Sequence, residues 1–245
     1  MSLTNELEQT RRTRDLIEEL LSDTSLLGPD FQPIYRLSGG SPVGYKATGR
    51  GQSGTEIAHR LDLLASARSL GLVERLDWAF RCLAFDVALD RGMAGELHLT
   101  PEPETFGSSC PPRLAVSFGR GRRSLTIAAE LHEDAFAELE RLRTAVDEMR
   151  AWGWKLVVCE TAAHVEGALD ALTWLRPEYV RVDLGATDLA GSPVVRDLID
   201  AARVVGAALL AIGVDTPRAR AEAEGLQADY ARGALLGEPG DLPLA

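Results

Sequence analysis

Two carboxylates and two cations, Glu130, Glu160, Lys46 and Arg181, lie in or just after strand-like runs and could do chemistry if brought together. Glu130 and Glu160 close short apolar runs that read as buried strands. Acids so placed could hold a divalent cation or act as acid and base. Lys46 and Arg181 lie in comparable runs. An ammonium cannot ligate Mg²⁺ or Mn²⁺, which take oxygen donors, and an arginine stays charged and moves protons poorly. No nucleophile–base pair and no complete metal set can be named from the sequence. His59, His98, His132 and His164 lack metal-ligand spacing and read as structural or surface residues. Cys82, Cys110 and Cys159 are too few and too scattered for a disulfide frame or a zinc site, and Cys82 and Cys159 read as small core residues. Gly119-Arg120-Gly121 lacks the third glycine of a dinucleotide loop, and Arg120-Gly121-Arg122-Arg123 reads as a solvated turn.

The elements that must position these groups are legible as an alternation. Strands are predicted at Phe31–Leu37, Val43–Thr48, Glu96–Thr100, Ser124–Leu131, Trp154–Cys159, Tyr179–Asp183, Ala207–Ile212 and near Asp229–Ala231. Amphipathic helices fall between them at Thr55–Ser69, Val73–Arg91, Asp134–Ala151, Val165–Leu175, Val194–Val205 and Pro217–Glu224. Eight strands with interleaved helices fit an α/β fold of the (β/α)8 barrel type, with a doubly wound sheet as the alternative from periodicity alone. Two stretches stand apart. Glu6–Ser22 carries a partial helical stripe of Leu7, Ile17, Leu20 and Leu21 before a Gly28-Pro29-Asp30 breaker, so residues 1–30 read as an N-terminal helical extension. Cys110–Phe118 alternates between prolines and reads as a hairpin or an added strand.

Composition narrows the class. The net charge of −11 opposes direct nucleic-acid binding. No apolar run is long enough to span a membrane, and the first residues lack a secretory signal's pattern, so a cytoplasmic location is expected.

Phe31-Gln32-Pro33-Ile34-Tyr35 followed by Val43-Gly44-Tyr45-Lys46-Ala47-Thr48 resembles the opening of EAL-type cyclic-di-GMP phosphodiesterase domains, where a glutamate stands at the position of Lys46. The resemblance continues through Gly71–Trp78, Pro103–Phe106, Glu130–Glu133, Leu175–Asp183, Gly213–Thr216 and Arg232–Pro239, so residues 31–245 read as an EAL-like barrel. Active members hydrolyse cyclic-di-GMP with metal-activated water, and the resemblance implies where each site residue falls. The metal-binding asparagine falls on Thr100, one metal-binding glutamate is kept as Glu130, and the paired aspartates become Glu160 and Thr161. The catalytic lysine becomes Arg181, a glutamate becomes Ile212, and a glutamine becomes Arg232. Arg50 stands where an arginine contacts a substrate phosphate. Its neighbours Gly49 and Gly51 suggest a flexible segment.

These substitutions imply a vestigial site, with no metal or other cofactor, in which an ion-pair cluster of Lys46, Glu130, Glu160 and Arg181 stands in for the cations. The expected function is that of a catalytically inactive EAL-like domain working as a regulatory module with a protein partner. Cyclic-di-GMP binding is expected to be weak or absent. The alternative is a non-hydrolysing cyclic-di-GMP receptor using Arg50, Arg181 and Arg232, with an active phosphodiesterase ranked below it. The N-terminal helix reads first as a helix packed across the base of the barrel, with a coiled connector or dimer contact as the alternative. Between it and the Cys110–Arg123 segment, it is the expected docking element for a partner, through its leucines and isoleucine.

Overall fold

The computed structural model describes residues 3–23, 26–51, 54–55, 57–185 and 192–244. Eight strands close into a barrel in chain order: β1 (Gly28–Arg36), β2 (Pro42–Arg50), β3 (Glu96–Leu99), β4 (Thr126–Leu131), β5 (Lys155–Cys159), β6 (Tyr179–Asp183), β7 (Ala208–Ile212) and β8 (Tyr230–Ala231). Around them lie α1 (Leu3–Ser22), α2 (Arg60–Ser69), α3 (Val73–Asp90), α4 (Ala115–Ser124), α5 (Leu139–Ala151), α6 (Ala168–Leu175), α7 (Pro193–Val205) and α8 (Pro217–Gly225). None of the described helices is long and apolar enough to cross a membrane.

The first strand breaks the regular βα pattern. Only residues 37–41 join β1 to β2, too few for the crossover a parallel pair needs. Gly39 and Gly40 turn there with φ of +95° and +109°. β1 is therefore antiparallel to both β2 and β8, whereas every later neighbour is parallel. Gly28-Pro29-Asp30 does not break the chain as the sequence suggests; it opens β1, with Gly28 opposite Arg50 and Asp30 opposite Thr48.

Strand alternation sorts the side chains into two environments. Leu97, Leu99, Ile127, Ala129, Leu131, Leu156, Val158, Val180 and Val182 join the helices in the main apolar core. The alternate residues, including Lys46, His98, Glu130 and Arg181, fill the barrel interior and are buried there. Helix entry is set locally at two places. The Ser192 hydroxyl accepts from the Val195 N–H at 3.4 Å, and the Thr216 hydroxyl accepts from Ala219 at 3.1 Å, each just before a proline in the first turn.

Four further expectations need correction. Cys110–Phe118 forms no hairpin: a single 3₁₀ turn at Pro112–Leu114 leads into α4. The Leu114-Val116-Phe118 alternation misleads because Val116 is 74% exposed while Phe118 packs edge-on against Trp78 and Trp152. Gly121 sets the helix close on α3, since a Cβ there would meet the Phe85 ring at 2.4 Å. The Arg120–Arg123 cluster thus belongs to the end of α4, where cations complement the helix C-terminus, and Arg120 pairs with Asp86 and Asp90. Gly49 and Gly51 mark close packing rather than a flexible segment: a Cβ would meet Phe80 at 2.5 Å and the Ile57 carbonyl at 2.3 Å respectively. Finally, the apolar stripe of α1 is already used. Ile17, Leu20 and Leu21 are buried with Leu63, Leu76 and Phe80 of α2 and α3, and Glu18 binds Arg75 through two hydrogen bonds of 2.8 and 2.9 Å. The side chain of Leu7 and residues 24–25 lie outside the described residues, as does residue 56 in the predicted Thr55–Ser69 helix, of which α2 keeps Arg60–Ser69.

Candidate functional site

Glu130, on β4, is fully buried and is the hub of the barrel mouth. Lys46 of β2 places its Nζ 3.0 Å from Glu130 Oε2, and Arg181 of β6 reaches the same oxygen at 3.3 Å. Arg232, just after β8, binds Oε1 at 3.3 Å. His98 of β3 lies 3.4 Å from Oε1 through Nδ1. Lys46 also donates to the Thr100 hydroxyl. Arg181 extends the cluster to Glu160, placing Nε 3.3 Å from Oε2 and Nη2 3.3 Å from Oε1. The sequence-predicted residues Lys46, Thr100, Glu130, Glu160, Arg181 and Arg232 are therefore brought together.

The other three nominated positions stand outside this network. Thr161 follows Glu160 in the same 3₁₀ turn and contributes to none of these pairs. Ile212 packs with Ile34 and Leu210 in the apolar part of the lumen. Arg50, at the end of β2, pairs with Asp30 across the β1–β2 ladder at 2.9 Å.

Burial and charge pull the cluster in opposite directions. Burial alone would push the Glu130 carboxyl up, but Arg232, Lys46, the His98 contact and Arg181 overcome it and hold the group well below the usual range. Burial pulls the Lys46 ammonium down to about 8 against the attraction of Glu130. For Glu160 burial outweighs Arg181, and its carboxyl is raised. Burial and the adjacent Arg181 depress His132 to about 4, so its imidazole is neutral at pH 7.

The charge balance tests whether these residues fit the divalent cations of an EAL-type site. Both Glu130 oxygens face cations at 3.0–3.3 Å, and both Glu160 oxygens face Arg181. Three cations already share two carboxylates, so a divalent ion would enter a positively charged pocket with its oxygen donors engaged. Ile212 offers no donor. Glu130, His132 and Cys159 do bring ligand atoms within 4.8 Å of one another. However, Arg181 Nη1 lies 3.5 Å from His132 Nε2 as well as against Glu130, and burial raises the Cys159 thiol, keeping it protonated. The residues present do not fit a metal.

A cavity of about 520 Å³ opens above the cluster between Lys46, Arg60, Arg68, Glu102, Asp134 and Arg181. Its cations are paired too: Glu102 holds Arg60 at 2.7 Å and Arg68 at 3.0 Å. Beneath the cluster a second, partly buried layer binds Lys155 and the Tyr179 hydroxyl to Glu96. Burial opposes ionisation of Glu96, but His98, Lys155 and Tyr179 hold it at about 2. Sequence reasoning missed His98, His132 and this lower layer. The available signal was the two-residue strand period, which puts Glu96, His98 and Thr100 on the face shared by Lys46, and His132 on that of Glu130.

Comparison with known proteins places this geometry. A family model described as "EAL domain" matches residues 14–239. The Xanthomonas citri FimX EAL domain, solved in complex with c-diGMP, superposes with a TM-score of 0.80 at 18% identity, covering 98% of this chain and 97% of that one. The Pseudomonas aeruginosa FimX EAL domain, bound to c-di-GMP, gives a TM-score of 0.77 at 17% identity over 94% and 97%. The Bacillus subtilis YkuI protein, with an EAL domain in complex with substrate c-di-GMP and calcium, gives 0.71 at 20% identity over 93% of this chain and 58% of that one. A search of curated proteins found no match.

Proposed function

Since the chain belongs to the EAL domain family, we propose that it is a catalytically inactive member that serves cyclic-di-GMP signalling as a regulatory, protein-binding module. The observation that carries this reading is the occupation of Glu130 on both oxygens by Lys46, Arg181 and Arg232. Metal-assisted hydrolysis needs carboxylates open to a cation and a water held beside it. Here the ammonium and guanidinium groups supply the positive charge, and neither can coordinate and activate a water as a divalent cation does. Thr100 is engaged by Lys46, and Ile212 adds only apolar surface.

A second reading, a receptor that binds cyclic-di-GMP without cleaving it, is favoured by the mouth cavity of about 520 Å³ and by the nucleotide held in the FimX EAL domains. Against it, Arg50, Arg181 and Arg232 each face a carboxylate already, so a phosphate would have to displace an existing partner. The experiment is a cyclic-di-GMP hydrolysis assay with Mg²⁺ or Mn²⁺, run beside titration calorimetry with the nucleotide. No linear product and no saturable heat are expected. Saturable heat without product would move the assignment to the receptor. Metal-dependent product, lost in Glu130→Gln, would overturn the proposal.

A further inference from the structure

The segment that leads into α4 lies along one face of α3 and is bonded to it along its length. Arg81 donates to the Thr105 hydroxyl, and Trp78 Nε1 donates to the Ser108 hydroxyl at 2.9 Å. Cys82 points its Sγ at the Leu114 carbonyl at 3.8 Å. Positions 78, 81 and 82 share that face because they are three and four residues apart on a helix. Cys110 is carried between Ser108 and Leu114 on this strip, and its Sγ lies 3.6 Å from the Pro111 carbonyl. Cys82 and Cys110 are near enough for each thiol to bear on the other's ionisation. Cys82 is 1% exposed, Cys110 is half-buried, and both are free thiols. Cys159 is fully buried on β5, within the barrel wall, and does not compete.

We propose that Cys82 and Cys110 are a redox-sensitive dithiol that closes to an intramolecular disulfide, stapling the strip ahead of α4 to α3. The oxidant is a peroxide. The sulfur of Cys110, the less buried of the two residues, attacks a peroxide oxygen. The O–O bond breaks, a sulfenic acid forms, and water leaves with the thiol proton. The Cys82 sulfur then attacks the Cys110 sulfur. The S–S bond forms, the S–O bond breaks, and hydroxide departs with the Cys82 proton as a second water. Two thiols lose two hydrogens while one hydrogen peroxide becomes two waters. Burial raises both thiols, so the first step is slow and the pair stays reduced without a strong oxidant.

The strip also reaches the mouth. Thr105 accepts from Arg81 and donates to the Glu102 carbonyl, and the Glu102 carboxylate holds Arg60 and Arg68 over the cavity. Oxidation therefore stiffens one wall of that cavity, whatever the domain binds.

The test uses the full chain exposed to graded hydrogen peroxide, then quenched, denatured and alkylated. Thiols open to alkylation should fall from three to one. The intact mass should drop by two hydrogens, and digestion should yield one peptide joining Cys82 to Cys110. The oxidised chain should melt higher and return to its starting melting temperature with dithiothreitol. Cys110→Ser, a near-isosteric change at a half-buried position, should keep both remaining thiols through the same exposure. Cys82→Ala should let Cys110 run on to its sulfinic acid. Three reactive thiols at every peroxide level, a sulfinic Cys110 beside a free Cys82 in the unmodified sequence, or a disulfide joining two chains would each overturn the proposal.

Discussion

Replacing Glu130 by glutamine keeps the shape of the hub and removes its charge. Glu130 is completely buried and balances Lys46 at 3.0 Å and Arg181 and Arg232 at 3.3 Å. Without it the three cations share only Glu160, which touches Arg181. Stranding buried charge in this way costs about 3–5 kcal/mol. The glutamine oxygen still accepts one hydrogen bond, so the lower end, about 3 kcal/mol, is expected. For a chain of this length that lowers the melting temperature by roughly 6–12 °C. Urea denaturation should show a lower midpoint at an unchanged slope, since the exposed surface is the same. The paired change Lys46→Met with Glu130→Gln should recover part of the loss, giving a coupling of about 1 kcal/mol or more. A Glu130→Gln midpoint within experimental error of the original, or strict additivity with Lys46→Met, would refute the charge-hub reasoning.

Other outcomes follow from the same geometry. Lys46 is depressed to about 8 from 10.5, so between those values the unfolded chain binds the proton that the folded chain has shed. Stability contributed by Lys46 therefore rises with pH across that window, and denaturation midpoints of Lys46→Met should lack this rise. Glu96 runs the other way: lowered to about 2, it contributes stability present above about 4.5 and lost as pH falls towards 2. Glu96→Gln should consequently lose less stability than the original between about pH 5 and 3 in acid titrations followed by circular dichroism. Gly121→Ala, which drives a methyl into the Phe85 ring, should destabilise by about 1–3 kcal/mol in urea melts. A neutral effect would mean that α4 does not sit on α3 as described.

The parts legible in the sequence are those set by local pattern. Strand alternation located the eight strands, and the charge changes at positions 46 and 181 beside the acids Glu130 and Glu160 pointed to an ion-pair cluster, whereas nothing local marked Arg232 as a further partner of Glu130. Tertiary contacts decided the rest. Leu114-Val116-Phe118 alternates like a strand, yet the chain is helical there because Phe118 and Gly121 fit the aromatic surface of α3. The leucines of α1 look like a docking stripe, and nothing local reveals that α2 and α3 already cover Ile17, Leu20 and Leu21. Arg50 has no visible partner in sequence because Asp30 reaches it only through the β1–β2 register. Glu96 and Lys155 are far apart in the chain and meet only when the barrel closes.

Mn²⁺ binding to the full chain, followed by electron paramagnetic resonance with Glu130→Gln alongside, tests the central claim most directly. If Lys46, Arg181 and Arg232 occupy Glu130 as described, added Mn²⁺ should keep the signal of the free aqueous ion at protein excess, and the variant should behave identically. Stoichiometric loss of that signal in the unmodified chain, restored in Glu130→Gln, would contradict it.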